Sequence, residues 1–105
     1  MVVKEIKNRE DFNKAIATEK LVLIDCFATW CGPCRAIAPA VEKISVERTA
    51  DVDVYKVDVD ECSDIAAELG VRAMPTFFFF KNGEKLDSVA GAAEAPLVAA
   101  IDRFK

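Results

Sequence analysis

Leu21-Val22-Leu23-Ile24-Asp25-Cys26-Phe27-Ala28-Thr29-Trp30-Cys31-Gly32-Pro33-Cys34 carries a strand, a turn and the head of a helix in one stretch. Lys20 to Ala28 is nearly all apolar, the pattern of a strand buried on both faces inside an α/β sheet. From Pro33 to about Arg48 the period changes. Ile37, Val41 and Ile44 follow Cys34 in one narrow stripe at about 100° per residue, with Arg35, Glu42 and Lys43 on the other side. Pro39 lies inside this helix, where it removes one hydrogen bond and is expected to kink it. Cys34 thus heads the buried stripe and Cys31 lies just before it, near the N-cap. One exposed sulfur and one shielded sulfur are expected.

The amino end of a helix leaves N–H groups unpaired and carries a partial positive charge. A sulfur placed there is stabilised as the thiolate, the form that attacks disulfides. Cys34 lies within reach to close a ring with Cys31. Pro33 suits the first helical turn, where its fixed φ fits and its missing N–H is not needed. Gly32 lets a second polypeptide approach closely. These residues in this order read as a reversible dithiol and disulfide, not as a structural staple.

The rest of the chain narrows what such a couple can serve. Its 105 residues read as one domain, 1–105, large enough to bury a core without cross-links. Hydrophobic residues make up 52% and charged residues 30%, which suits a soluble globular protein. A formal charge of −4 with no basic run argues against nucleic acid and anionic membranes as partners. Met1-Val2-Val3-Lys4-Glu5 offers no signal-peptide core, and no apolar stretch approaches membrane-spanning length. A reducing, cytoplasmic setting is therefore expected. The chain has no histidine, which removes a Cys–His dyad and any histidine base. Its cysteines, at 26, 31, 34 and 62, lack the second close pair that a structural zinc site would want, so no metal is expected.

In order, Val2 to Ile6 reads as a first strand, and Asn8 can cap a helix with Asp11 three residues on, a variant of the capping box. Phe12, Ala15 and Ile16 form that helix's apolar face. After the stretch quoted above, Val52 to Val59 is a third strand and Asp60 to Leu69 a short helix, with Ile65 and Leu69 inward and Gly70 as its stop. Thr76 to Phe80 is a fourth strand whose four phenylalanines belong to the core. Asn82-Gly83 turns it back, antiparallel, into Glu84 to Ala90. A last helix opens near Pro96 and buries Leu97, Ala100, Ile101 and Phe104. The order β-α-β-α-β-α-β-β-α implies a mixed sheet with helices on both faces.

Trp30-Cys31-Gly32-Pro33-Cys34 between a strand and a helix, with Asp25, the proline-containing helix, Met74-Pro75-Thr76 and the Asn82-Gly83 hairpin, resembles the thioredoxin family over nearly the whole chain. The resemblance implies an α/β thioredoxin fold, a central mixed five-stranded sheet flanked by four helices. It implies a general protein-disulfide reductase in which Cys31 attacks a client disulfide and Cys34 resolves the mixed disulfide. Gly32 and Pro33 resemble the reducing branch of the family, since oxidising and isomerising relatives usually carry a histidine there.

Asp25, read from the residues alone, is either a solvated or salt-bridged acid at a strand end or a desolvated carboxyl with a raised pKa. The resemblance makes it the buried carboxyl that takes the Cys34 proton, directly or through water. Lys56 reads alone as a solvated lysine on a strand face; the resemblance puts it near that carboxyl, tuning the couple with Gly32 and Pro33. Met74-Pro75 resembles the family's cis-proline turn facing the cysteines, with the Met74 backbone pairing to an extended client segment. Trp30, Val59, Ala73, Gly91 and Ala92 match the rest of an apolar client surface with Met74 and Pro75. For Trp30, partial exposure is expected from its place beside the glycine-proline turn.

Cys26 follows Asp25 and points to the other face, where it reads as a small buried hydrophobe. Cys62 begins the short third helix, and exposure with some thiolate character, or a regulatory or dimer-forming role, is one reading of it. The resemblance implies no bound cofactor. Electrons originating in NADPH would come from thioredoxin reductase and pass to disulfide clients of the peroxiredoxin, ribonucleotide reductase or methionine sulfoxide reductase types. A monomer is expected. Two other classes compete: an interaction or chaperone subunit without redox turnover, against which both cysteines stand intact, and a dimer pooling its cysteine pairs around an iron–sulfur cluster.

Overall fold

Strand β2 (Leu21–Phe27) is the hub, because its alternating side chains feed two separate cores. The computed structural model describes residues 2–105. Leu21 and Leu23 join one apolar cluster, whereas Val22, Ile24 and Cys26 join the other. Around β2 the described chain orders β1 (Val3–Ile6), α1 (Arg9–Ile16), α2 (Gly32–Glu47), β3 (Val52–Asp58), α3 (Ser63–Leu69), β4 (Thr76–Lys81), β5 (Glu84–Ala90) and α4 (Glu94–Phe104). The strands lie in the order β1-β3-β2-β4-β5. β1 and β2 run parallel to β3, and β4 pairs antiparallel with β2 and β5.

Helices α1 and α3 cover one face of the sheet through Phe12, Ala15, Ile65 and Leu69. Helices α2 and α4 cover the other through Ile37, Val41, Ile44, Leu97, Ala100 and Ile101. The phenylalanine run of β4 is divided between them. Phe77 and Phe79 enter the α2/α4 core, while Phe78 and Phe80 enter the α1/α3 core. All four are core residues, as the sequence suggests. The Asn82-Gly83 turn is also as expected, with both residues at positive φ and their N–H groups donating to Thr18 and Ile16 carbonyls at the end of α1.

Several boundaries differ from the sequence reading, each for a local reason. Strand β1 starts at Val3, and Val2 is exposed. Asn8 caps α1 by accepting the Asp11 N–H at 2.8 Å, but the Asp11 carboxylate takes the Lys7 N–H rather than closing a box with Asn8. Helix α3 begins at Ser63, not Asp60, because the Asp58 carboxylate holds the Asp60 and Glu61 amides in a turn. Gly70, at φ +74°, ends α3 as expected. Helix α4 opens at Glu94, which puts Pro96 inside its first turn, where no N–H is needed. Ile16 and Phe104 are half-buried rather than fully enclosed. Helix α2 runs on through Pro39, which lies on its solvent side.

Candidate active site

Cys31 is the N-cap of α2, as the sequence implies. Its backbone is extended, and its sulfur accepts the Cys34 N–H at 3.1 Å. Gly32 and Pro33 supply the first helical positions, and no acidic residue occupies that first turn to oppose the helix's positive end. Arg35 ties α2 to the preceding loop by donating from Nη1 to the Thr29 carbonyl at 2.7 Å. Cys31 and Cys34 form a disulfide, with Cα atoms 5.3 Å apart. The expected contrast in exposure is absent: in the disulfide state Cys31 is 5% exposed and Cys34 6%. Both sulfurs are drawn against Ala28, with Val59, Met74 and Phe27 packed around them.

Asp25 resolves in favour of the desolvated carboxyl. It is 8% exposed and its Oδ1 has no hydrogen-bond partner among the described residues. Burial pushes its pKa up to about 7, against a smaller downward pull from Lys56. Lys56 is its register partner across the β2–β3 ladder, is half-buried, and holds its ammonium 5.5 Å from the Phe27 ring centroid. Asp25, Lys56, Cys34, Phe27, Ala28, Thr29, Arg35 and Ala38 line one cavity of about 310 Å³, so the carboxyl and the inner cysteine open onto shared space.

Of the remaining residues named from the sequence, two pack beside the disulfide. Val59 and Met74 touch its cluster directly. The Met74–Pro75 bond is cis, and the Pro75 carbonyl accepts the Gly91 N–H at 3.0 Å. That bond ties the β5–α4 loop to the turn before β4. Gly91, at φ +101°, adopts a backbone that L side chains rarely take, and Ala92 follows it in the open. Ala73 is exposed, and its carbonyl accepts the Thr76 hydroxyl. Trp30 is 65% exposed and donates from its indole to Asp60 Oδ2 at 2.9 Å. Asp60 and Arg35 were not legible as site residues. Their only signal is position, in the loop after β3 and one residue past Cys34.

The other two cysteines are buried and unpaired. Cys26 is a core residue, as expected, and burial with the neighbouring Asp25 pushes its thiol up to about 12. Cys62 corrects the reading of an exposed, partly ionised thiol. It is 3% exposed, it donates weakly to the Ile6 carbonyl at 3.6 Å, and burial with the nearby acids raises its pKa. The turn held by Asp58 carries Cys62 inward instead of presenting it at a free helix end. Among the described residues no group of three or more His, Cys, Asp or Glu could hold a metal ion, and no helix is long and apolar enough to cross a membrane.

The sequence pattern of the family described as thioredoxin matches residues 2–103. Thioredoxin-1 of Schizosaccharomyces pombe is 50% identical over 100 residues, covering 95% of this chain and 96% of its own. The solved structure of Malassezia sympodialis thioredoxin superposes with a TM-score of 0.92 at 51% identity, covering 97% of this chain and 90% of that one. A chain from a structural study of thiol resolution in yeast mitochondrial 1-Cys peroxiredoxin via glutathione/thioredoxin systems superposes at 0.89 with 36% identity, covering 96% and 94%. With the disulfide at a helix N-cap and the five-stranded mixed sheet, these likenesses settle the assignment: the chain belongs to the thioredoxin family and is a protein-disulfide oxidoreductase whose redox couple is Cys31–Cys34.

Proposed function

We propose that Cys31 attacks and Cys34 resolves, with Asp25 moving the proton between them and solvent. The observation that carries this division is the placement of the Cys31 sulfur at the α2 N-cap, while Cys34 opens onto the Asp25 cavity. In the reduced protein the Cys31 thiolate attacks one sulfur of a client disulfide, forming a mixed disulfide and releasing the other client sulfur as thiolate. Cys34 gives its proton to the Asp25 carboxylate and attacks the Cys31 sulfur. This closes the Cys31–Cys34 disulfide and releases the second client thiolate, so two electrons leave the protein for the client. A carboxyl with a pKa of about 7 suits this work, being neither wholly ionised nor wholly protonated near neutrality. Lys56 favours its ionised form, and Gly32 and Pro33 keep the approach to Cys31 open.

The client surface is Trp30, Val59, Ala73, Met74, Pro75, Gly91 and Ala92; Val59 and Met74 pack on the disulfide cluster, and the Gly91 N–H donates to the Pro75 carbonyl, which supports this reading. Thioredoxin reductase, drawing on NADPH, returns the electrons. A peroxiredoxin is the client favoured by the likeness to the chain from the 1-Cys peroxiredoxin study. Residues 1–105 act as one monomeric domain, in the cytoplasm.

Insulin reduction driven by dithiothreitol tests the division of labour. Cys31→Ser is expected to abolish activity, and reduced Cys34→Ser, freed of dithiothreitol before mixing, to accumulate a covalent adduct with insulin. Equal precipitation rates for wild type and both variants would remove the reading.

A further inference from the structure

Asp58 is a buried carboxylate that the reaction above does not use. It ends β3 at 7% exposure, yet Asp60 and Glu61, two and three residues on, are exposed. Its Oδ1 accepts the Asp60 N–H at 2.8 Å and the Glu61 N–H at 3.3 Å, and its carbonyl accepts the Cys62 N–H at 2.9 Å. One side chain thus satisfies two turn amides and sets the direction of the loop. Val59, inside that turn, donates its N–H to the Phe27 carbonyl at 2.9 Å and packs on the disulfide cluster. Asp60, the next residue, holds the Trp30 indole.

Trp30 needs such a holder. At 65% exposure it has little packing to fix its rotamer, and the 2.9 Å bond to Asp60 is the polar contact that orients the ring. β2 and β3 are parallel neighbours, so the loops bearing Trp30 and Asp60 leave the sheet at the same edge and can meet. We infer that Asp58 is a positioning residue: through its turn it fixes Asp60, and through Asp60 it holds Trp30 in place beside the disulfide before a client arrives. Its effect on client reduction rests on Trp30 belonging to the client surface, whereas the positioning itself does not. A ring fixed in advance loses less freedom on contact, so a macromolecular client gains and a small disulfide does not.

Trp30 is the only tryptophan, so fluorescence reports this ring alone. In reduced Asp58→Ala, the anisotropy of Trp30 falls and acrylamide quenches it more efficiently, while Asp58→Asn, which keeps the acceptor oxygen, stays close to wild type. The rate with insulin drops about three- to tenfold in Asp58→Ala. The rate with the small aromatic disulfide DTNB stays within about twofold, since the chemistry at Cys31 is untouched. Wild-type anisotropy in a folded Asp58→Ala, or loss in Asp58→Asn as large as in Asp58→Ala, overturns the assignment. Trp30→Ala separates the two readings: an unchanged insulin rate removes Trp30 from the client surface, and the anisotropy still decides the role of Asp58. Should Asp58→Ala fail to fold, amide exchange in the wild-type protein and the surface variant Asp60→Ala decide. Slow exchange at Asp60 and Glu61, with Trp30 released in Asp60→Ala, supports the proposal; fast exchange at both amides, or a Trp30 unmoved in Asp60→Ala, rejects it.

Discussion

Asp25 places a carboxyl among apolar neighbours, and its thermodynamic signature follows from the direction of its shift. The folded protein holds this proton up to about pH 7, whereas the unfolded chain releases it near the ordinary value of 3.8. Below that ordinary value both states are protonated and the group contributes nothing. Between the two values the unfolded chain is ionised and the folded one is not, so stability falls as pH rises; above the upper value the loss is complete and constant. Asp25→Asn removes the penalty. In urea unfolding of the oxidised protein, the variant is expected to match wild type at about pH 3, below the ordinary value. It gains on wild type up to about pH 7 and then holds a plateau of no more than about 4 kcal/mol, from ~1.36 kcal/mol per pKa unit. Parallel stability curves for the two proteins would refute the shift. The sequence left Asp25 open between two readings, because a strand-end acid is desolvated only if another element covers it. Here α2 supplies Cys34, Arg35 and Ala38 to the cavity walls, and that contact is tertiary. The burial of Cys62 has the same origin, since its sulfur is enclosed by the turn from β3 and faces the end of β1.

Elements with strong local chemistry were legible, and those ended by a tertiary contact were not. The Asn82-Gly83 turn, Gly70 at the end of α3 and the Asn8 cap each carry their own conformational reason, so the residues alone located them. Helix α3 starts three residues later than the residues alone suggest, because a carboxylate from the preceding strand captures the amides that would begin it. The sheet order was beyond the residues, since no local rule places β3 between β1 and β2. Asn8 makes the cap argument measurable. Its side chain takes one of the free amides of an eight-residue helix, and it lies on an exposed corner. Asn8→Ala is expected to destabilise by about 1 kcal/mol. At this chain length that lowers Tm by about 4–8 °C. Insulin reduction at 25 °C should be unchanged, because α1 packs on the sheet face away from α2. A Tm within a degree of wild type would mean that packing alone holds α1.

At the scale of the molecule, chemistry and stability occupy different parts of one sheet. The disulfide follows β2, Val59 follows β3, Met74 and Pro75 precede β4, and Gly91 follows β5. β4 runs against β2, so these four loops converge on the edge at the carboxyl ends of β2 and β3, the usual place for a site in an α/β sheet. Phe79 lies further along β4, opposite Leu23, fully buried and with its ring centroid 6.4 Å from that of Phe104. Truncating it removes a large core side chain without touching any residue around the disulfide. Phe79→Ala is expected to destabilise by about 3–5 kcal/mol. Below its lowered Tm, the remaining folded protein should reduce insulin within about twofold of the wild-type rate, because strands held in register fix the loops from their near ends. Denaturant unfolding gives the first quantity and activity per folded molecule the second. A folded Phe79→Ala with activity reduced tenfold would mean that the α2/α4 core sets the geometry at Cys31, and that the separation of core from site does not hold.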